Sequence, residues 1–118
     1  MEARRYYAEN KIGVYAYSSL GRGMLSGRVD RENYKGLLDG ASLAAYAYEV
    51  NFARVDRARE LAAQKGVSVP QIGIAYILNQ KFPVYPIVGA ASERELDETL
   101  EAAAIALSAD ELTFLENR

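Results

Sequence analysis

The order of apolar and polar residues predicts two short buried strands set among amphipathic helices. Residues 12–17 are almost continuously apolar and rich in β-branched and aromatic side chains, which is typical of a strand buried on both faces in a parallel sheet. A second apolar run over 84–88 stops at Gly89. Because Pro86 lies inside this run and cannot donate to a β-ladder, we expect the second strand to be an edge or to be irregular there.

Apolar side chains spaced three to four residues apart predict the first helices. Residues 2–10 are predicted to form the end of a helix, in which Ala3, Tyr6 and Tyr7 make one apolar face. Asn10 can end this helix in the left-handed conformation. We expect a longer helix with Asn51 as its N-cap, ending at Lys65 before Gly66. Its apolar stripe consists of Phe52, Val55, Ala58, Leu61 and Ala62.

A serine followed three residues later by glutamine or glutamate marks three further helix starts. In such a capping box each side chain accepts a hydrogen bond from the other residue's backbone N–H. The pairs are Ser68 with Gln71, Ser92 with Glu95, and Ser108 with Glu111. The helix over about 69–80 is apolar nearly all round and should pack on more than one side, while the last helix, 109–116, is short and amphipathic.

Residues 28–49 show no convincing period, and we interpret them as a long loop. Its tyrosines Tyr34, Tyr46 and Tyr48 suit either the wall of a pocket or packing of the loop onto the body. The order of strands and helices indicates an α/β fold with parallel strands. Two strands cannot cover these helices or satisfy their own outer edges, so the chain looks like part of something larger.

The amino-acid composition excludes several classes of chemistry but says less about the fold. The 118 residues are 50% apolar with a formal charge of -2, so we expect one domain with a real core and no broad basic surface for nucleic acid or anionic lipid. Cysteine and histidine are absent, which excludes disulfides, cysteine-ligated zinc and a Ser-His-Asp triad, and no metal site is predicted. The chain lacks the pattern of a signal peptide or a membrane span, which predicts a cytoplasmic protein.

The turns after the two strands are the candidate ligand site. Gly21, Gly23 and Gly27 follow the first strand, where glycine permits unusual dihedral angles and close approach of the backbone to a ligand. A flexible exit loop explains these glycines equally well. After the second strand, Gly89 leads into the helix capped by Ser92, and the unpaired N–H groups of a helix N-terminus suit a phosphate group.

Four segments together resemble the C-terminal part of the aldo-keto reductases, a family of NADPH-dependent (β/α)8 barrels. They are 17–23 (YSSLGRG), 62–78 (AAQKGVSVPQIGIAYIL), 86–89 (PIVG) and 107–112 (LSADEL). They are similar to the seventh strand, the seventh helix, the eighth strand, and the eighth helix with the terminal helix of such a barrel. The resemblance covers essentially the whole chain. It implies a single partial domain over 1–118, a partial (β/α)8 TIM barrel with two parallel strands and about four to five helices.

The resemblance also implies a nicotinamide-cofactor site at the two strand ends. In the family, the aromatic residue that ends the seventh strand stacks on the nicotinamide, which would be Tyr17 here. The next residues touch the pyrophosphate and ribose, which would be Ser18 and Leu20, and Gly21 and Gly23 belong to the same turn. The turn and helix after the eighth strand hold the adenosine and its 2′-phosphate. By position these residues are Gly89, Ala91, Ser92, Glu95, Glu98 and Thr99.

Several positions depart from the family pattern and leave the choice between NADP(H) and NAD(H) open. Many members place Lys or Arg for the 2′-phosphate where this chain has Gly89, Ala91 and Glu95. The usual adenine-binding asparagine is Thr99 here, and Ser19 stands where proline is common. A carboxylate at Glu95 repels a 2′-phosphate unless a nearby arginine compensates, although Glu95 is also explained as half of its capping box.

The family's catalytic Asp, Tyr, Lys and His come from earlier strands, so no residue of this chain is assigned a catalytic role. The resemblance implies NADPH-dependent reduction of aldehydes or ketones to alcohols, which a truncated fragment carries out only if a missing N-terminal portion completes the barrel. An alternative is a non-catalytic assembly module, because exposed strand edges invite self-association. A remote alternative is a helix-turn-helix reader of nucleic acid over 58–72, which the acidic net charge disfavours.

Overall fold

A computed structural model describes residues 2–117 of the chain. These residues form seven α-helices and two β-strands. In chain order they are α1 (Glu2–Glu9), β1 (Val14–Ala16), α2 (Tyr34–Leu37), α3 (Gly40–Tyr46), α4 (Glu49–Lys65), α5 (Val69–Leu78), β2 (Val84–Pro86), α6 (Glu93–Glu101) and α7 (Ala109–Glu116). Short 3-10 turns lie at Gly21–Gly23 and Ala102–Ala104. The fold is α/β, as predicted.

The expected four to five helices are too few, because α2 and α3 lie in the segment 28–49 that the sequence pattern presents as a long loop. The helix α2 has 4 residues and α3 has 7, which is too short for an apolar stripe to be recognised. The start of α3 still carries a local signal. Asp39 is its N-cap, and the carboxylate accepts a hydrogen bond from the backbone N–H of Ser42.

The two strands are parallel neighbours, paired as Val14 with Val84, Tyr15 with Tyr85 and Ala16 with Pro86. The backbone N–H of Ile87 donates to the Ala16 carbonyl at 2.9 Å. Because successive N–H groups of a strand point to opposite sides, the Pro86 nitrogen faces the outer edge of the sheet. Proline is therefore tolerated in β2 for the reason predicted, namely that this side of the strand is an edge.

The prediction that β1 is buried on both faces is wrong. Tyr15 is 72% exposed and Tyr85 is 53% exposed, and their ring centroids lie 5.3 Å apart. Helix α5 packs against β2, whereas the side of the sheet that carries these two rings is open to solvent. A continuous apolar run indicates that both faces of a strand avoid water, but it does not say which part of a protein covers them.

The main core lies between α4, α5 and α7. All five predicted stripe residues of α4 are buried, and α5 buries residues on several sides, so both predictions are confirmed. The main cluster comprises Ala58, Leu61, Ala62, Val69, Ile72, Ala75, Leu107 and Leu115. A second cluster packs the segment after β1 onto the start of α4 through Met24, Val29, Leu38, Phe52 and Val55.

Capping signals identify several helix ends correctly. Gly66 ends α4 with a φ of 67°, a left-handed conformation that glycine adopts without strain. Both halves of the capping box form at Ser68 and at Ser108. The predicted starts of α5 and α7 are therefore confirmed.

Two asparagine caps are wrong. Helix α4 begins before Asn51, whose side-chain amide instead donates to the Tyr46 carbonyl at 3.0 Å. The residue with positive φ after α1 is Lys11 (52°), while the Asn10 amide donates to the Tyr6 carbonyl at 2.9 Å. Asparagine can bond nearby backbone groups in several ways, so the residue type alone does not identify the cap.

Candidate functional site

A pocket of about 410 Å³ lies where β1 and β2 end. Folds with parallel strands and flanking helices bind their ligands at this end, beyond the carboxyl ends of the strands. Its walls are Tyr17, Ser18, Ser19, Leu20, Arg22, Gly23, Ile74, Ile87, Val88, Gly89 and Thr99. The turn after β1 and the segment after β2 therefore face each other across one concave site, with Ile74 of α5 contributing to it.

The structure brings together six of the eleven predicted cofactor residues in this pocket, namely Tyr17, Ser18, Leu20, Gly23, Gly89 and Thr99. Gly21 lies in the same turn but outside the lining. The other four lie outside the pocket, on the turn before α6 and on that helix: Ala91, Ser92, Glu95 and Glu98. Sequence reasoning missed five lining residues: Ser19, Arg22, Ile74, Ile87 and Val88.

The backbone after β1 adopts left-handed conformations at both glycine and non-glycine residues. The φ angles are 53° at Ser18 and 52° at Arg22, with 59° at Gly21 and 100° at Gly23. A non-glycine residue in this region costs of order 1–3 kcal/mol, and such residues cluster at functional sites. The glycines predicted to permit unusual dihedral angles do so, and Arg22, one of the two non-glycine residues with positive φ in this segment, lies between Gly21 and Gly23.

Ser19 joins the ends of the two strands. Its hydroxyl lies 2.9 Å from the Ala16 carbonyl at the end of β1 and 2.9 Å from the Ile87 carbonyl just after β2. The hydroxyl has one proton, so it donates to both oxygens as a shared bond or to each in turn. Proline, which is common at this position in the family, has no such donor.

Tyr17 presents an open aromatic surface at the pocket. The side chain follows directly after β1 and is 78% exposed. Flat aromatic rings in this setting can stack on a planar heterocycle, because offset stacking is favourable for π systems. The exposure of the ring therefore leaves it free to receive such a partner.

Arg22 is the one charged side chain among the lining residues that the structure describes. Its Nε donates to the Ser42 hydroxyl at 3.1 Å and its Nη2 donates to Asp39 Oδ2 at 3.1 Å. Hydrogen bonds from the Ser42 hydroxyl and backbone N–H, together with Arg22, lower the pKa of Asp39 to about 2. Asp39 is thus ionised at neutral pH. The signal that could have identified Arg22 is its position between two glycines directly after a strand.

The start of α6 is capped differently from its capping-box pattern. The Ser92 hydroxyl accepts from the Glu95 backbone N–H at 3.2 Å, but the Glu95 carboxylate accepts from the Ala91 N–H at 2.8 Å instead of from Ser92. Arg94 is paired with Glu98 at 3.0 Å. The first turn therefore holds the Glu95 carboxylate in place, one turn before Thr99, which lines the pocket.

A second cavity, of about 400 Å³, lies among α1, α4, α5 and α7. The Tyr76 hydroxyl there donates to Glu116 at 2.7 Å and accepts from Arg4 at 3.0 Å. Burial and the Glu116 contact raise the pKa of Tyr76. These polar groups are hydrogen-bonded to one another, and much of the remaining lining of the cavity is apolar. We therefore interpret the cluster as a packing contact between helices.

Three observations on residues 2–117 concern other classes of site. These residues contain no group of three acidic side chains placed to hold a metal ion. No described helix is long and apolar enough to cross a membrane. The hypothesis of a helix-turn-helix requires α5 to enter a DNA groove, but α5 is deeply buried and its Gln71 is only 8% exposed.

Residues 1–117 match the family model of the aldo/keto reductases. The chain is 31% identical over 118 residues to a versiconal hemiacetal acetate reductase of Aspergillus parasiticus, covering 94% of this chain and 33% of that protein. It is 27% identical over 117 residues to an aldo-keto reductase of Alternaria alternata, covering 98% of this chain and 31% of that protein. The chain thus spans about a third of the length of these relatives. It belongs to the aldo/keto reductase family, oxidoreductases that act on carbonyl compounds with nicotinamide cofactors.

Proposed function

We propose that this chain supplies the cofactor-binding part of an aldo/keto reductase. The observation that supports the proposal is the pocket at the ends of β1 and β2, which combines an exposed aromatic ring, a glycine-rich turn and one arginine. These groups suit the nicotinamide, the ribose and the diphosphate of a dinucleotide. The family membership makes a nicotinamide cofactor the expected occupant.

Each predicted residue takes a physical role under this proposal. The Tyr17 ring stacks on the nicotinamide, while Ser18 and Leu20 contact the adjoining ribose and phosphate. Gly21 and Gly23 let the backbone approach the ligand closely. The adenosine then extends past the second strand, over the residues at the start of α6: Gly89, Ala91, Ser92, Glu95, Glu98 and Thr99.

The charges at α6 favour NADH over NADPH. Glu93 and Glu95 lie in the first turn of α6, and Arg94 is already paired with Glu98. A 2′-phosphate would lie beside these carboxylates, and like charges at short range repel. A free 2′-hydroxyl instead can donate to a carboxylate, as it does to the acidic residue of dinucleotide-binding folds. We therefore propose NAD(H) as the better ligand, although the family resemblance points to NADP(H).

The reaction itself is the reduction of an aldehyde or ketone to an alcohol. It requires a proton donor for the carbonyl oxygen beside the nicotinamide. The four catalytic residues of the family are Asp, Tyr, Lys and His, and this sequence has no histidine. The family's catalytic residues come from strands earlier in the barrel. We propose that the 118 residues bind the cofactor without any other chain. Turnover of substrate would require the earlier strands as well.

A calorimetric titration of the chain with NADH and with NADPH tests the proposal. We expect micromolar binding of NADH, and about tenfold weaker binding in Tyr17→Ala, because stacking of a base on an aromatic ring contributes roughly 1–3 kcal/mol. The matched control is Tyr6→Ala, which removes a 57% exposed tyrosine from α1, away from the pocket. Absence of heat with either nucleotide contradicts the proposal.

The alternative is a module that associates with other copies or chains. The open sheet face with Tyr15 and Tyr85, and the unpaired strand edges, favour it. Sedimentation that depends on concentration, in a chain that binds no nucleotide, would support this function instead.

A further inference from the structure

The cavity among α1, α4, α5 and α7 is separate from the pocket at the strand ends. It has a volume of about 400 Å³ and shares no lining residue with that pocket. Helix α5 contributes to both, because Gly73 lines the cavity and Ile74, the next residue, lines the pocket. Sites for small molecules have volumes of about 300 to 1,000 Å³. The cavity is therefore large enough for a small organic ligand.

Most of the cavity wall is apolar. Ala58, Ile72 and Leu115 are buried, and Leu25 packs against the same core cluster. A few polar side chains complete the lining: Arg4, Arg54, Tyr76 and Glu116. An apolar wall with a small number of convergent polar groups is the usual composition of a ligand site.

Three of the four polar side chains are bonded to one another. The Arg4 guanidinium pairs with the Glu116 carboxylate, and the Tyr76 hydroxyl donates to the same carboxylate. Burial opposes ionisation of Glu116, but these contacts and the charge of Arg54 lower its pKa below the ordinary value. Glu116 is therefore ionised at neutral pH, and its charge balances that of Arg4.

Arg54 is the cation of the lining whose charge is not balanced in this way. Its Nη1 donates to Asn51 Oδ1 at 3.2 Å, which is its one hydrogen bond within residues 2–117. Most of the rigid guanidinium fork is therefore available, and such a fork matches the two oxygens of a carboxylate. Arg54 and Ala58 are neighbours on one face of α4, because they lie four residues apart. A carboxylate at Arg54 can therefore carry an apolar group that reaches the wall.

We propose that this cavity binds a small monocarboxylate with an aromatic or branched apolar body, the carboxylate pairing with Arg54 and the body contacting Ala58, Ile72 and Leu115. The lining carries two arginines and one glutamate, so its net charge attracts an anion and repels a cation. The inference goes beyond the proposed function and does not depend on whether the other pocket binds a nucleotide. The competing explanation is that the cavity is a gap in the helix packing that only water fills.

Titrations of the whole chain with naphthoate test the inference, with naphthamide and naphthylmethylammonium as matched neutral and cationic probes. Amide chemical shifts measured by NMR report both the affinity and the place of binding. We expect naphthoate to bind at least tenfold more tightly than the other two probes, because hydrogen bonds between charged groups are stronger than neutral ones. The shifts should concentrate at Ala58, Ile72, Gly73 and Leu115, and NADH should not compete with naphthoate.

Variants of the charged residues separate recognition from structure. Arg54→Gln should weaken naphthoate at least tenfold, and Arg54→Lys should restore part of the affinity because it keeps the charge but loses the fork. Glu116→Gln removes the negative charge and releases Arg4, so it should tighten naphthoate several-fold. The matched control is Arg5→Gln, which changes the net charge as Arg54→Gln does, at an 80% exposed side chain of α1. We expect this control to bind naphthoate as wild type does.

Thermal melts followed by circular dichroism identify any variant that has lost its fold. Since Arg54→Gln and Glu116→Gln are expected to act in opposite directions, a general loss of stability does not imitate the result. Equal binding of the three probes, no binding of naphthoate, or shifts confined to Tyr15, Tyr17 and Tyr85 overturns the inference. Naphthoate binding that Arg54→Gln leaves unchanged overturns it as well. The nucleotide titration decides the proposed function separately, because a chain that binds no NADH still gives the naphthoate results.

Discussion

Gln71 is the buried polar side chain whose loss we expect to matter most for stability. It is 8% exposed. Its Oε1 accepts from the Ser68 N–H at 3.0 Å, and its Nε2 donates to the Glu98 carbonyl at 2.9 Å and to the Glu101 carboxylate at 3.3 Å. One side chain thus completes the cap of α5 and joins α5 to α6.

The magnitude follows from these three contacts. At about 1 kcal/mol each, their loss in Gln71→Ala removes about 3 kcal/mol. Alanine returns roughly 0.5 kcal/mol through its higher helix propensity. We expect the free energy of unfolding to fall by about 2–3 kcal/mol. With a urea slope of about 1 kcal/mol per molar, the midpoint of unfolding falls by roughly 2–3 M.

Urea unfolding followed by far-UV circular dichroism measures this change. The matched control is Gln64→Ala on α4, where an exposed glutamine donates only to Glu60 at 3.3 Å. We expect the control to lie within about 0.5 kcal/mol of wild type. If Gln71→Ala costs no more than Gln64→Ala, the bridge between α5 and α6 has no energetic importance and the reasoning is refuted.

A charged substitution at the same position tests the direction of the hydrogen bonds. In Gln71→Glu the new side chain can still accept from Ser68, but when ionised it cannot donate to Glu98 and it faces the Glu101 carboxylate. Burial and Glu101 raise the pKa of the new carboxyl in the folded state. Its contribution to stability is therefore present at acidic pH and lost as the pH rises through that raised pKa. The measured quantity is the stability of the variant relative to wild type at each pH, and a deficit that is larger at acidic than at neutral pH would contradict the assignment.

Two further predictions concern the main core cluster and the ion pair between Lys65 and Glu111. Leu61 is 2% exposed in the main cluster, so Leu61→Ala should lower the free energy of unfolding by about 2–5 kcal/mol in the same urea assay; a loss below 1 kcal/mol would show that the cluster is loosely packed. The hydrogen bond from Lys65, at 2.7 Å, and that from the Ser108 N–H lower the pKa of Glu111. Its stabilisation is therefore present above the ordinary pKa of a glutamate and is lost as the pH falls through the lowered value. Glu111→Gln should flatten the acid limb of the stability curve, and an unchanged limb would assign that limb to other groups.

The elements that the sequence predicts correctly are those specified by neighbouring residues. The capping boxes at Ser68 and Ser108 and the glycine stop at Gly66 involve groups a few residues apart, and an apolar stripe needs only the geometry of one helix. The partner of Glu95 is the Ala91 N–H, and nothing in the residue types distinguishes this bond from the expected one to Ser92. Such choices depend on the angle at which the chain enters the helix.

In the candidate site, too, residues specified by their local sequence were predicted, whereas residues defined by long-range contacts were missed. Gly89 was identifiable because an apolar run stops there before a capped helix, whereas Tyr17 was proposed through the resemblance to the family. Arg22 and Ser19 were missed because their partners are distant in sequence: Arg22 contacts Asp39 and Ser42, and Ser19 contacts a carbonyl 68 residues away. The contact of Ser19 follows from the register of the two strands, and those of Arg22 follow from the packing of α3 on the turn after β1. Periodicity specifies neither.

The open side of the sheet bears on how tightly any ligand can bind. The walls of the pocket continue from two strands of 3 residues each, while the cohesive core lies in the helices. Segments with few buried contacts open locally at a small fraction of the free energy needed for global unfolding. We therefore expect the pocket to be fully formed only part of the time, which would reduce its apparent affinity for a ligand by that fraction. Anything that packs on Tyr15 and Tyr85 therefore strengthens ligand binding without touching the ligand.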